Sequence, residues 1–282
     1  MVAGREPPLG IDRLSVFAMP PVEFIGLAAS LACTSVALSL APTGNYNPHG
    51  YRGWSLRDDP ALRRDCMAAA RATGVAFALF EGFAHVPGQP IERFARDLDL
   101  VHELGGQRIN LVSLDKDMGA TAAAFARFTA LAVERGLVVS GEMGSLGPIA
   151  SVAAAKELLA AVAHPAFTLL IDAMHFFRLG NSLADFAALD PAQIGYVQLC
   201  DAPLAPRFST YIEEAMYERM VPGEGELPLA GFIALLPEDV TVSLEIPRRA
   251  LAEAGVGPRE RLAPCVVAAR RLLDTARKEK QR

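Results

Sequence analysis

Short runs of apolar residues alternate with segments of helical spacing along the whole of this chain, and that alternation limits the folds open to it. The runs are "LSVFAMP" (14–20), "SVALSL" (35–40), "VAFALFEG" (75–82), "INLVS" (109–113), "LVVSGEM" (137–143), "TLLID" (168–172), "GYVQLCD" (195–201) and "TVSLEI" (241–246). Between them lie segments such as "IERFARDLDLVHELGG" and "ATAAAFARFTALAVERG", with Gly105 and Gly136 just past two of them. A helix commonly ends on such a residue, free to take a positive φ. Strands that are apolar throughout are buried on both faces, and helical crossovers between them make the sheet parallel. Eight such strands with about eight helices is the inventory of a (β/α)8 TIM barrel. A doubly wound sheet would carry a glycine-rich phosphate loop after its first strand, and "SVFAMPPVEF" has none.

The chain is expected to be one α/β domain over residues 1–282, with residues 1–12 as an N-terminal extension and 275–282 as a frayed basic tail. A length of 282 residues suits a single barrel, and 51% hydrophobic residues supply its core. A net charge of −5 argues against nucleic acid or an anionic membrane as partner, because both need a basic surface. No stretch supplies the roughly 20 apolar residues of a membrane span, and the N-terminal residues, with Glu6 and two prolines, are not expected to act as a signal peptide. Cys33, Cys66, Cys200 and Cys265 form no CxxC pair, which fits a reducing cytoplasm. A homodimer or homotetramer is compatible with such a barrel.

Two connections are longer than a barrel needs: residues 41–59, which hold the single tryptophan, Trp54, and residues 202–229. Both leave C-terminal strand ends, where barrel enzymes build their sites, so both read as substrate lids. His49 and Trp54 in the first loop are candidate substrate contacts, as is Arg219 in the second. Arg219 could clamp an anionic group or simply pair with Glu214 or Glu218.

Polar residues close four consecutive strands: Glu142 on the fifth, Asp172 on the sixth, Gln198 and Asp201 near the end of the seventh, and Glu245 on the eighth. In a barrel these ends lie side by side. Carboxylates converging without a basic residue among them would repel one another and raise each other's pKa. A divalent cation answers that cost, so Glu142, Asp172, Gln198 and Glu245 are expected to hold one metal ion. The all-oxygen donor set favours Mn²⁺ or Mg²⁺, with Co²⁺ or Zn²⁺ as substitutes. His175, three residues after Asp172, is a candidate acid/base. Glu81 closes the third strand and could bind a substrate hydroxyl.

The motifs "GEM" (141–143), "DAMH" (172–175), "VQLCDAP" (197–203), "PGEGELPL" (222–229) and "SLEIP" (243–247) resemble the xylose isomerase-like TIM barrel superfamily, the sugar phosphate isomerase/epimerase group. That group shares its fold with endonuclease IV and its relatives, the AP endonuclease family 2. The resemblance implies Glu142, Asp172 and Glu245 as ligands of one cation, His175 as a substrate contact, and Glu142 and Glu245 as the proton-exchanging pair of a ketose 3-epimerase. Epimerases of this group usually carry His where Gln198 stands; glutamine there resembles the 3-dehydroshikimate dehydratase branch.

The expectation is therefore an isomerase or epimerase acting on a small sugar-like or cyclic polyol substrate through a metal-stabilised enediolate. The alternative is a dehydratase of the 3-dehydroshikimate or inosose type. A non-catalytic ligand-binding barrel and an endonuclease are the remaining readings. The nuclease is disfavoured by the acidic charge and by the count of five histidines.

Overall fold

The computed structural model describes residues 8–42 and 44–280. Residues 1–7, most of the expected extension, and residues 281–282 lie outside the described residues. Among the described residues, eight parallel strands close into a barrel in sequence order. They are β1 (Gly10–Asp12), β2 (Ser35–Ser39), β3 (Ala76–His85), β4 (Arg108–Ser113), β5 (Val138–Glu142), β6 (Phe167–Asp172), β7 (Ile194–Leu199) and β8 (Thr241–Leu244). The helices of the first half are α1 (Pro21–Ser30), α2 (Pro60–Thr73), α3 (Ala95–Leu104) and α4 (Met118–Val133). Those of the second half are α5 (Val152–Val162), α6 (Ala173–Arg178), α7 (Leu183–Ala187), α8 (Tyr211–Tyr217), α9 (Leu229–Ala234), α10 (Arg249–Glu253) and α11 (Pro258–Lys280). No helix among the described residues is long and apolar enough to cross a membrane. The chain is thus a single-domain (β/α)8 barrel.

Local chemistry starts and stops the helices where the spacing requires. The side chains of Asp59, Asp117 and Ser151 accept the N–H groups of Leu62, Ala120 and Ala154 at the starts of α2, α4 and α5. Gly105 and Gly136 follow α3 and α4 with φ of 82° and 70°.

Boundaries differ from the sequence reading most at the two ends of the chain, and β3 runs on to His85, so Glu81 stands within the strand rather than at its close. The first strand is not 14–20 but Gly10–Asp12, inside the segment expected to be an extension. Arg13–Val16 instead form a 3₁₀ turn, held by Ser15, whose hydroxyl donates to the Leu244 carbonyl and accepts from the Ile246 N–H. Gly10 allows the closure at this seam, because a Cβ there would lie 2.7 Å from Ser35 Oγ and 2.8 Å from Ser243 Oγ. At the other end α11 extends to Lys280 and includes most of the segment expected as a tail. Ala276 is buried, and the Lys280 ammonium donates to the Leu236 carbonyl.

The barrel interior is layered by the two-residue period of its strands. Ala37, Leu79, Leu170 and Tyr196 form an apolar plug separate from the large core beneath the helices. Two residues further along the same strands stand Ser39, Glu81, Asp172 and Gln198. That step is about 6.6 Å toward the C-terminal mouth, and it turns the lining from apolar to charged.

Candidate active site

Among the described residues, five carboxylates meet at this mouth, those of Asp12, Glu81, Glu142, Asp172 and Glu245, together with Gln198 and two guanidiniums. Asp172 ends β6 and is fully buried. One of its oxygens caps α6 by accepting the His175 N–H at 2.8 Å, and the other takes Arg219 Nη1 at 2.8 Å. Burial works to raise this carboxyl's pKa, but the guanidinium of Arg219 and the imidazole of His175 outweigh it and hold it below its ordinary value.

Arg219 corrects the sequence reading, in which no basic residue stood among the acids. Its side chain is wholly buried, bonding Asp172 and the Ala215 carbonyl, and its Nη2 lies 3.5 Å from Glu245 Oε2. It pairs with neither acid considered for it, since Glu214 is taken by Arg178 and Glu218 accepts the Ala250 N–H. The reason is tertiary: α8 folds the second long loop back over the mouth. The second cation, Arg13, sits 3.0 Å from Glu81 and was not foreseen, because it follows the misplaced first strand.

The remaining carboxyls carry the cost of their surroundings. Burial lifts Glu142 to about 7, against the lowering effect of the Asn110 amide that donates to it at 2.6 Å. Burial and then Glu81 push Glu245 well above its ordinary value. Burial raises Glu81, although Arg13 opposes the shift. Asp12 is pushed up to about 8, first by burial and then by Glu81.

His175 lines the cavity with its ring 5.3 Å from that of Tyr211. The Tyr211 hydroxyl and His175 Nδ1 share a hydrogen bond at 2.7 Å, and Nε2 lies 3.5 Å from Glu142 Oε1. Burial, with a further push from Arg219, drops His175 to about 4, so its imidazole is neutral at neutral pH.

A divalent cation fits this donor set on two observations. Two guanidiniums leave the five carboxyls under-compensated, and burial, with repulsion among them added to it, raises Asp12, Glu81, Glu142 and Glu245. The second is an orphaned acceptor: Gln198 Oε1 is buried without a hydrogen-bond partner among the described residues. The amide's other end is fixed, with Nε2 donating to Asp12 at 2.8 Å, Glu245 at 3.1 Å and Glu81 at 3.3 Å. The acids whose oxygens lie within 4.8 Å of one another are Asp12, Glu81 and Glu245, rather than the expected Glu142, Asp172 and Glu245. Asp12, however, already accepts hydrogen bonds from Tyr196, Ser243 and Gln198. It reads as the residue that orients the amide, as outer partners of metal ligands do.

The cavity above these groups has a volume of ≈ 350 Å³ and is lined by Glu81, Glu142, His175, Arg219 and Glu245; Asp172 and Gln198 lie beneath its surface. His49 and Trp54 lie outside it. The His49 imidazole is 3.5 Å from Arg261, and the indole N–H of Trp54 donates to the Ala18 carbonyl. The first long loop therefore braces the barrel rim, with Tyr46 in edge contact with Tyr217 of the second. Asp201 is structural: its carboxylate accepts the N–H groups of Gly223, Gly225 and Leu227, tying down the second loop. Asn110 and Tyr211 escaped the sequence reading. Asn110 left a signal, a polar residue within the apolar run "INLVS".

A family model described as xylose isomerase-like TIM barrel matches residues 25–264. The 3-dehydroshikimate dehydratase of Pseudomonas putida is 26% identical over 177 residues, 57% of this chain and 27% of that protein. The chain thus spans about a quarter of the length of that relative. Among solved structures, the protein IolI with a zinc atom bound superposes with a TM-score of 0.78 at 14% identity, covering 95% of this chain and 99% of IolI. D-allulose 3-epimerase from Methylomonas sp. gives a TM-score of 0.68 at 15% identity, covering 97% and 100%. The relatives named for an activity are enzymes.

Proposed function

The chain belongs to the xylose isomerase-like TIM barrel family, and from that premise we propose an enzyme that moves a carbon-bound proton on a small polyhydroxylated carbonyl compound, as an isomerase or epimerase. The observation that carries this reading is the pairing at one cavity of two carboxyls of raised pKa, Glu142 and Glu245, with the neutral imidazole of His175.

Glu142, Asp172, Gln198 and Glu245 would hold one divalent ion, with Mn²⁺ or Mg²⁺ the best match to oxygen donors. Bound there, it supplies Lewis-acid polarisation of a carbonyl oxygen, which acidifies the neighbouring C–H. Glu142 or Glu245 takes that proton and returns it on the neighbouring carbon or the opposite face. His175, steadied by Tyr211, hydrogen-bonds the substrate oxygen through Nε2. Glu81 binds a hydroxyl, and Arg219 holds Asp172 and Glu245 in place.

A second reading is favoured by Gln198. It occupies the strand-seven position where the epimerase pattern has His, and a dehydratase is the curated relative described above. In that case the proton removed by a glutamate is followed by loss of a β-hydroxyl, which leaves as water after taking a proton from a neighbouring acid.

One experiment separates the readings: elemental analysis of protein purified without chelator, then incubation with keto sugars, inososes and dehydroshikimate in D₂O. Deuterium in a product of unchanged formula supports the isomerase or epimerase. A product lighter by one water, with new ultraviolet absorbance, supports the dehydratase. Absence of any divalent metal, or phosphodiester cleavage without exchange at carbon, rejects both. Metal content in Asp12→Asn and Asp172→Asn tests the ligand set, with metal lost from the second and retained by the first.

A further inference from the structure

The cavity changes character between floor and wall. Its charged groups belong to the floor, whereas the wall is built from Phe83 and Val112 on β3 and β4, Leu146 and Ile149 after β5, and Ile212 and Met216 on α8. The α8 contribution follows from helical spacing. Tyr211, Ile212, Ala215 and Met216 recur at i, i+1, i+4 and i+5, so one face of the helix looks into the cavity. On its other side Glu213 and Glu214 pair with Arg249 and Arg178 at 2.8 and 2.7 Å, pinning the apolar face inward. Leu146 and Ile212 come from different loops, yet both leave a large apolar side chain open to solvent, at 47% and 42% exposure.

Ser113, Ser145 and Tyr211 interrupt this wall, but a hydroxylated sugar set against Leu146, Ile149, Ile212 and Met216 would lose its bonds to water and find no partner in those side chains, a loss that apolar contact does not repay. At ≈ 350 Å³ the cavity falls within the range of about 300–1,000 Å³ that encloses a drug-sized ligand. We propose that the substrate is amphipathic: a polyhydroxylated carbonyl head that meets the floor carries an apolar ring that packs between Leu146 and Ile212. The occupant is a small molecule rather than a protein surface because the apolar wall is continuous, within one concave cavity, with the acid/base floor. This assignment rests on the enzymatic reading above and narrows its substrate class.

Titration calorimetry of the full chain with methyl and phenyl β-D-glucopyranoside tests it, the two probes differing only in the apolar group. The phenyl compound should bind at least about 10-fold more tightly, equivalent to about 1.4 kcal/mol. Leu146→Ser and Ile212→Ser should each shrink that preference to under about threefold without loss of fold, since both side chains are exposed. Leu204→Ser, on an exposed side chain outside the cavity, should leave the preference unchanged. Equal binding, no binding of either probe, or a preference that survives both cavity substitutions overturns the proposal. So does light scattering that finds a dimer which Ile212→Ser dissociates, because the rim is then an interface between copies. Deuterium exchange into an unsubstituted keto sugar needs no apolar wall. Its presence without a phenyl preference would therefore sink the amphipathic substrate alone, and the reverse result would sink the proton-transfer reading alone.

Discussion

The same strands line the barrel twice, and the two layers obey opposite rules. In the lower layer Ala37, Leu79, Leu170 and Tyr196 pack against one another, and at the N-terminal strand ends Arg108 donates to the hydroxyls of Ser140 and Thr168. Two residues further on, the upper layer holds carboxyls whose pKa values burial raises, and a glutamine whose oxygen has no hydrogen-bond partner among the described residues. Nothing in the folding of the barrel requires that second arrangement. Replacing buried ion pairs by packed hydrophobic groups is often neutral or stabilising. A layer that departs from the rules its neighbour follows marks where the chain has given up stability for chemistry.

That contrast has consequences that differ in kind for the two layers. The largest is expected at His175. His175→Ala should lower turnover on whichever substrate the screen identifies by about 10²–10⁴-fold, while metal content stays unchanged and the melting temperature moves little. Metal analysis and steady-state kinetics on the same preparation check it. Loss of metal would make His175 a ligand, and full activity would place it with the structural residues of the lower layer.

Leu170→Ala probes the lower layer directly. Its side chain is fully buried in the plug, so truncation should destabilise the fold by about 2–5 kcal/mol. Equilibrium denaturation would read that as a lowered midpoint at unchanged slope. Activity measured well below the midpoint should stay close to that of the parent. A catalytic defect without a stability defect would show that the two layers are not separable.

How far these layers could be read from sequence depends on where each residue's partners sit. Seven strands were legible because an apolar run of four to six residues is a local pattern. The first was not, because "GID" is three residues ending in a charge, and the more apolar "LSVFAMP" beside it imitates a strand. That error also hid Asp12 and Arg13. Glu142, Asp172, Gln198 and Glu245 were legible as polar residues closing apolar runs. Arg219 was visible only as a loop residue, because its partner Asp172 lies 47 positions away. His49 and Trp54 show the converse: their loop leaves the correct end of β2, but its side chains turn to the rim.

The smallest effect is also the one with the least intuitive sign. Glu142 takes an ordinary carboxyl value of 4.5 in the unfolded chain and about 7 in the folded, metal-free one. Its proton is therefore held more tightly after folding. That contribution to stability is fully present below about pH 4.5 and is lost as the pH rises through 7. Glu142→Gln keeps a carbonyl oxygen for the Asn110 amide while removing the charge. In chelator-treated protein the variant should thus be more stable than the parent by about 3 kcal/mol at pH 8, with the difference vanishing near pH 4.5. Urea denaturation at the two pH values checks both the sign and its pH dependence. If Glu142→Gln destabilises the metal-free protein at pH 8, the upper layer is a structural network like the lower one, and the division between them fails. Restoring Mn²⁺ should reverse the order, because the parent then gains the stabilisation that a bound ligand gives the native state and the variant loses one of its donors.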